Sequence, residues 1–184
     1  MIDELIKKIR EDNENRDRFK NIFIERQVAA RTVLLNEGEI ASYIHFIKKG
    51  CLRECFNKDG KDITFQFFFE GQPVASIDSV MNNTPSLFSI ESIESSTILS
   101  VKKQDFEMLL SIYPELKDKF QSFIFQRFSN YARLFLSRIK DTPQERYEDL
   151  VKNQPTIIKR IPQHYIASYL GITPVSLSRI RNRK

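Results

Sequence analysis

Residues 160–184 read RIPQHYIASYLGITPVSLSRIRNRK, and the spacing of apolar, glycine and proline positions in that stretch decides what the C-terminus is. Tyr165, Ile166, Ala167, Tyr169 and Leu170 recur at helical spacing and stop at Gly171. A glycine there can take the left-handed conformation of a sharp turn. Ile172 supplies an apolar anchor, Thr173 is suited to cap a new helix, and Pro174 sits at its first position, where a missing N–H costs nothing. Leu177 and Ile180 are the buried face of that helix. Two short helices joined by a glycine turn, the second basic and rich in hydroxyls, form a helix-turn-helix whose second helix enters a DNA major groove.

The exposed residues of the second helix then have assignable roles. Arg179 points into the groove, where a guanidinium bridges guanine O6 and N7. Thr173 and Ser176 are placed to donate to phosphate beside the helix's free N–H groups. Pro174, Val175 and Ser178 complete the face, while Arg181, Arg183 and Lys184 add charge that reads no sequence.

Upstream, residues 102–140 contain no glycine and one proline, Pro114, which can open a helix. Phe120, Ile124, Phe128, Tyr131, Phe135 and Ile139 make a row at three- and four-residue steps, widened by Phe123 and Leu134. A helix of about 25 residues is about 38 Å long, more than a small roll covers, so part of the row is expected to face a second copy. The expected dimer interface is Phe120, Phe123, Ile124, Phe128, Tyr131 and Phe135. Asp141-Thr142-Pro143 ends this helix. A short helix is expected over 144–151 and a loop over 152–157.

Between Thr32 and Val101 the period changes to two, or the runs become short and β-branched or aromatic: VLL at 33–35, YIHFIK at 43–48, CLRECF at 51–56, ITFQFFF at 63–69, LFSIESI at 87–93 and TILSV at 97–101. Turn signals separate them, and six or more strands in about 70 residues make a small β-roll or barrel. One or two amphipathic helices are expected from Asp3 to about Glu25.

Composition narrows the function. The 184 residues carry 29 Lys and Arg against 24 Asp and Glu. Six of the basic residues and no acidic one lie in 155–184, which leaves the first 154 residues at 23 basic against 24 acidic. No apolar run approaches a membrane span, and the charged opening MIDELIKKIREDNENR lacks a secretory leader, so a cytoplasmic protein without a membrane partner is expected. Cys51 and Cys55 lie four residues apart in a strand, about 13 Å, which is too far for a disulfide. Two cysteines are too few for an iron–sulfur cluster. His45 and His164 cannot assemble a multi-histidine metal site, and no catalytic serine or cysteine signature occurs. No enzyme, metal site or catalytic residue is expected.

The order of β-roll, long helix and helix-turn-helix resembles the Crp/Fnr family of bacterial transcription regulators. LLNEGEIASYIHFIKKGCLRECFNKDGKDITFQFFFEG (34–71), with Gly38, Gly50, Gly60 and Gly71, is similar to the family's strand-turn pattern. IASYLGITPVSLSRIR (166–181) is similar to its recognition motif and is the more specific. The resemblance implies an α+β protein with an N-terminal double-stranded β-helix or jelly-roll domain of cyclic-nucleotide-binding type over 1–112. A dimerisation helix over 113–140 and a winged-helix-like helix-turn-helix domain over 141–184 follow, the wing itself being absent. It further implies a homodimer on palindromic double-stranded promoter DNA, RNA polymerase as a further partner, and a small-molecule effector in the roll. The family's base-reading arginine falls on Arg179. Its other base-contacting positions fall on Pro174 and Val175, so a different DNA sequence is expected.

The two residue pairs that hold a cyclic nucleotide in that family fall here on Ala75-Ser76 and Ser86-Leu87, which are taken as the effector pocket. The arginine for the phosphate and the glutamate for the ribose are missing, and no Lys or Arg occurs between Lys61 and Lys102. A buried phosphate without a cation is costly, so cyclic AMP is not expected to bind and no cofactor is expected. His45 is left as a core histidine or a haem ligand. A ligand-binding or protein-interaction module with a vestigial DNA motif is the competing reading, and a cupin-like enzyme stands behind it.

Overall fold

The structure, a computed structural model, describes residues 2–182. The chain opens with helices α1 (Ile2–Glu11) and α2 (Arg16–Phe19), then strands β1 (Ile24–Val28), β2 (Val33–Leu35), β3 (Tyr43–Lys49), β4 (Leu52–Lys58), β5 (Lys61–Phe68) and β6 (Pro73–Val74). Helix α3 (Ile77–Asn82) precedes β7 (Ser89–Ser92) and β8 (Ser96–Lys102), and the rest is helical: α4 (Lys103–Ile112), α5 (Pro114–Lys140), α6 (Pro143–Asn153), α7 (Pro155–Arg160), α8 (Gln163–Leu170) and α9 (Pro174–Asn182).

The strands form two four-stranded sheets, ordered β1-β8-β3-β6 and β2-β7-β4-β5. In the first, β3 runs antiparallel to β8 from Tyr43 opposite Lys102 to Lys49 opposite Thr97, with a register shift after Ile47. The core is apolar where the sequence alternates or runs apolar: Ile44, Phe46, Ile47, Leu52, Ile90, Ile98 and Val101 are almost wholly buried. Gly50 turns β3 into β4 with φ +105°, and a Cβ there would lie 2.8 Å from the Ser96 backbone, so this turn requires glycine.

Contacts divide the described residues into two units, one of residues 2–54 with 68–122 and another of residues 55–67 with 123–182. In the first unit α4 lays Phe106 between Phe46 and Phe120, the latter pair edge-to-face at 4.9 Å. In the second, Phe65 meets Tyr131 and Phe67 meets Tyr169, with ring centroids 6.2 and 5.2 Å apart.

Each of the six expected runs contributes a strand. The N-terminal helical expectation extends too far, because β1 occupies Ile24–Val28 and buries only Val28, so an edge strand with no apolar alternation gave no signal. The loop expected over 152–157 is overturned at all but Gln154: Lys152 and Asn153 end α6, and a proline at the first helical position starts α7 at Pro155. Strand β5 buries both Phe67 and Phe68, which lie on opposite faces.

His45 is 4% exposed, and its Nδ1 lies 2.9 Å from Ser100 Oγ. Desolvation, then the charge of Arg26, lowers its pKa to about 4. The unfolded chain therefore takes up a proton at an ordinary histidine pKa of about 6.5, while the folded chain resists it. Stability from this group is complete above that pH and is lost on descent toward 4. Urea unfolding should show a loss of about 2 kcal/mol between pH 7 and 5, and His45→Gln should flatten that window.

Candidate nucleic-acid interface and effector pocket

Helix α8 ends where the sequence places its stop. Gly171 has φ +70°, its amide donates to the Ser168 carbonyl at 2.9 Å, and the Ile172 amide donates to the Ala167 carbonyl at 2.9 Å. That pair of bonds is the Schellman arrangement. Two carbonyls of the last turn are taken by arginines from other helices: Arg138 Nη2 donates to Tyr169 O at 2.9 Å, and Arg146 Nε donates to Leu170 O at 3.1 Å. Arg146 Nη1 also donates to Asp141 O at 2.6 Å, tying the turn to the end of α5. Burial, then the charge of Arg146, lowers the Arg138 pKa. Nothing in the sequence marked these two arginines, because their acceptors are backbone groups of a segment 24 to 31 residues away.

Helix α9 follows from its cap. The Ser176 amide donates to Thr173 Oγ1 at 3.1 Å, and the two hydroxyls lie 2.9 Å apart. One hydroxyl proton therefore joins the two oxygens and one remains to donate outward. Ser176 is only half-exposed. Pro174 has no N–H and the Ser176 amide is capped, so Val175 offers the free amide of the first turn among the described residues. Leu177 is 1% exposed and Ile180 half-buried, as the two-residue apolar face requires. Thr173, Pro174, Val175, Ser178, Arg179 and Arg181 are all exposed. Arg183 and Lys184, and the expectation that no wing follows, lie outside the described residues.

Ser168 bridges to the β4–β5 hairpin within the same unit. Its Oγ accepts from the Thr64 amide at 2.9 Å and donates to the Asp62 carbonyl at 3.0 Å, so the first helix of the motif is bonded to strand backbone.

The expected dimer row separates. Phe120 is 7% exposed against Phe106, and Tyr131 lies against Phe65, so these two are engaged within the chain. Phe123 and Ile124 are half-buried, whereas Phe128 and Phe135 are 71% and 65% exposed. The open stripe instead runs Phe125, Phe128, Ala132, Phe135, Ile139, steps of three, four, three and four along α5.

In the roll, Ser76 and Ser86 are both buried and their hydroxyls lie 2.9 Å apart, so these two residues, ten apart in sequence, meet. Ala75 is buried beside Ser76, but Leu87 is 76% exposed and does not join them. The buried cation that sequence reading missed is Arg53 on β4, whose Nη2 lies 2.6 Å from Glu91 on the neighbouring β7.

Residues 25–113 match the cyclic nucleotide-binding domain family. Solved structures extend the likeness along the chain. FixK2 from Bradyrhizobium japonicum is 17% identical with a TM-score of 0.74, covering 88% of this chain and 84% of its own. The c-di-GMP-responsive global regulator CLP of Xanthomonas campestris is 14% identical at 0.71, covering 92% and 89%. A structure assigned to the Crp/Fnr transcriptional regulators, from Eubacterium rectale, is 16% identical at 0.73, covering 92% and 81%. A comparison with curated proteins gave no match. The chain has the Crp/Fnr fold, a cyclic-nucleotide-binding-type β-roll with a long helix and a C-terminal helical region.

Arg146 holds the turn on which α9 depends. Arg146→Gln should lower the unfolding free energy measured in urea by about 1–3 kcal/mol, with Arg146→Lys recovering less than half because one ammonium cannot span both carbonyls.

Proposed function

We propose that the protein is a homodimeric, sequence-specific DNA-binding transcription regulator of the Crp/Fnr type that does not respond to cyclic AMP. The observation that carries the reading is α9 itself: a capped helix anchored through Leu177 that turns Arg179, Ser178, Val175 and Arg181 to solvent. Arg179 reads a base edge, Arg181 supplies phosphate charge, and the Val175 amide with the remaining Thr173/Ser176 proton positions the helix on the backbone.

Fluorescence anisotropy with promoter fragments from the source genome tests this. One fragment should bind at least 10³-fold more tightly than random duplex. Arg179→Ala should weaken that fragment by about 1–3 kcal/mol and relax its sequence preference, whereas Arg181→Ala should weaken all duplexes alike. Saturating cyclic AMP should leave the affinity unchanged, because Ala75-Ser76 and Ser86-Leu87 supply no cation or carboxylate and the buried Arg53 is committed to Glu91. Equal binding of specific and random DNA, or specific binding untouched by Arg179→Ala, would overturn the reading.

The open stripe of α5 supports the dimer. Four large apolar residues each more than 60% exposed, which with Ala132 fall at alternating three- and four-residue steps, make the seam of a two-stranded helix pair, and a monomer would leave that seam in water. Phe128→Glu should shift the chain from dimer to monomer in light scattering after size-exclusion, and should weaken operator binding at least tenfold while circular dichroism stays unchanged.

A further inference from the structure

A cavity of about 270 Å³ opens on the outside of the β-roll, at the N-terminal helices, and it involves neither the serine pair nor the DNA-facing helix. Its floor is apolar: Ile9 of α1, Phe19 of α2 and Leu99 of β8 are each at most 5% exposed, with Phe23 beside them. Its rim is cationic: Arg10, Arg16, Lys20 and Lys48 line it with a single carboxylate, Glu25. Glu25 is committed to Lys48 at 2.7 Å, and Lys20 has Asp17 at 3.8 Å. Arg10 and Arg16 form no ion pair among the described residues. Two guanidinium groups without counter-charge at the mouth of an apolar hollow are complementary to one anionic group carried on a short apolar body.

We propose that this cavity binds a small amphipathic anion, a carboxylate or phosphate head on a medium-length hydrocarbon tail. The head lies between Arg10 and Arg16, and the tail covers Phe19, Ile9 and Leu99. The volume corresponds to about nine water molecules of liquid, which admits a chain of several carbons and is too small for a dinucleotide. Such a ligand touches α1, and α1 with the adjoining Asp12 is bonded to the start of α5 and the residue before it: Glu4 to Lys119 at 2.7 Å, Asp12 to Tyr113 at 2.8 Å, and Lys8 to Glu115. Occupancy therefore tightens the brace between the N-terminal helices and the start of α5.

Calorimetric titration of the full chain with octanoate and octyl phosphate, beside 1-octanol and inorganic phosphate, separates head from tail. At least one of the two amphiphiles should bind one per chain. Octanol, which lacks the charge, and phosphate, which lacks the tail, should each bind at least tenfold more weakly. Octanoate against octyl phosphate decides which head the two arginines take. The variant R10E/R16E alters only exposed side chains and should keep its circular dichroism while weakening the amphiphile at least tenfold. Amide shifts on titration should centre on Phe19, Phe23 and Leu99. Equal affinity for octanol, binding unaffected by R10E/R16E, shifts centred instead on Ser76 and Ser86, or no binding of either amphiphile would each overturn the proposal. None of these outcomes depends on DNA binding.

Discussion

The carbonyl end of α8 is the constraint on which the C-terminal unit depends. A helix end leaves four carbonyls without partners, and water satisfies them only where the end is exposed. Here the end must also turn the chain sharply, so that α9 can place Leu177 inside and Arg179 outside. The glycine turn uses two of the carbonyls, those of Ala167 and Ser168, and Arg138 and Arg146 take the next two, those of Tyr169 and Leu170. All four acceptors are satisfied, and two of the four donor groups, those of Arg138 and Arg146, come from the end of α5 and the start of α6. The direction of the exposed helix is thus set by backbone hydrogen bonding rather than by its own side chains.

This division of labour explains how the unit combines a rigid base with an open face. Tyr165, Ile166, Ala167, Tyr169 and Leu170 are all buried, so the exposed surface of α8 is confined to Gln163 and His164 at its start, and its half-buried Ser168 is engaged by the hairpin backbone. Helix α9 buries one side chain fully and exposes most of the rest. An exposed helix of nine residues would fray on its own. Its fixed points are the Thr173 cap, the Pro174 start and Leu177, three constraints gathered at its N-terminal end.

How much of this was legible in the sequence depends on whether the signal was local. The turn between α8 and α9 was readable residue by residue, because glycine, threonine and proline each act on their own backbone within three residues. The strands were readable because side-chain period is local too. Strand β1 was not, since an edge strand with one buried residue has no period to detect, and α7 was hidden by a proline that reads equally as a loop or a helix start. The row along α5 was legible as a row but not in its rotation: whether Phe120 and Tyr131 or Phe125 and Ile139 remain open depends on Phe106 and Phe65, residues distant in sequence. Arg138, Arg146 and Arg53 were invisible as structural groups for the same reason. Each looks like surface charge until its acceptor is known.

That last point alters what the charge of the chain means. A net +5 is a weak statement about a polyanionic partner, since solvated surfaces produce it as well. The structure sorts the arginines by what they face. Arg53 faces a carboxylate inside the roll, and Arg138 and Arg146 face carbonyls, so none of the three is available to a ligand at its present position. Arg179 and Arg181 face solvent on a helix with no acidic residue, and Arg10 and Arg16 face a hollow with no free acid. These four arginines lie at two places, α9 and the hollow beside α1 and α2. Desolvating an unpartnered guanidinium is costly unless an anion arrives with it, so both places favour anionic partners. They differ in what surrounds the charge. At α9 the neighbours are hydroxyls, an amide and solvent, which suits a hydrated phosphate backbone, whereas at α1 and α2 the neighbours are Ile9, Phe19 and Leu99, which suit an anion carrying hydrocarbon.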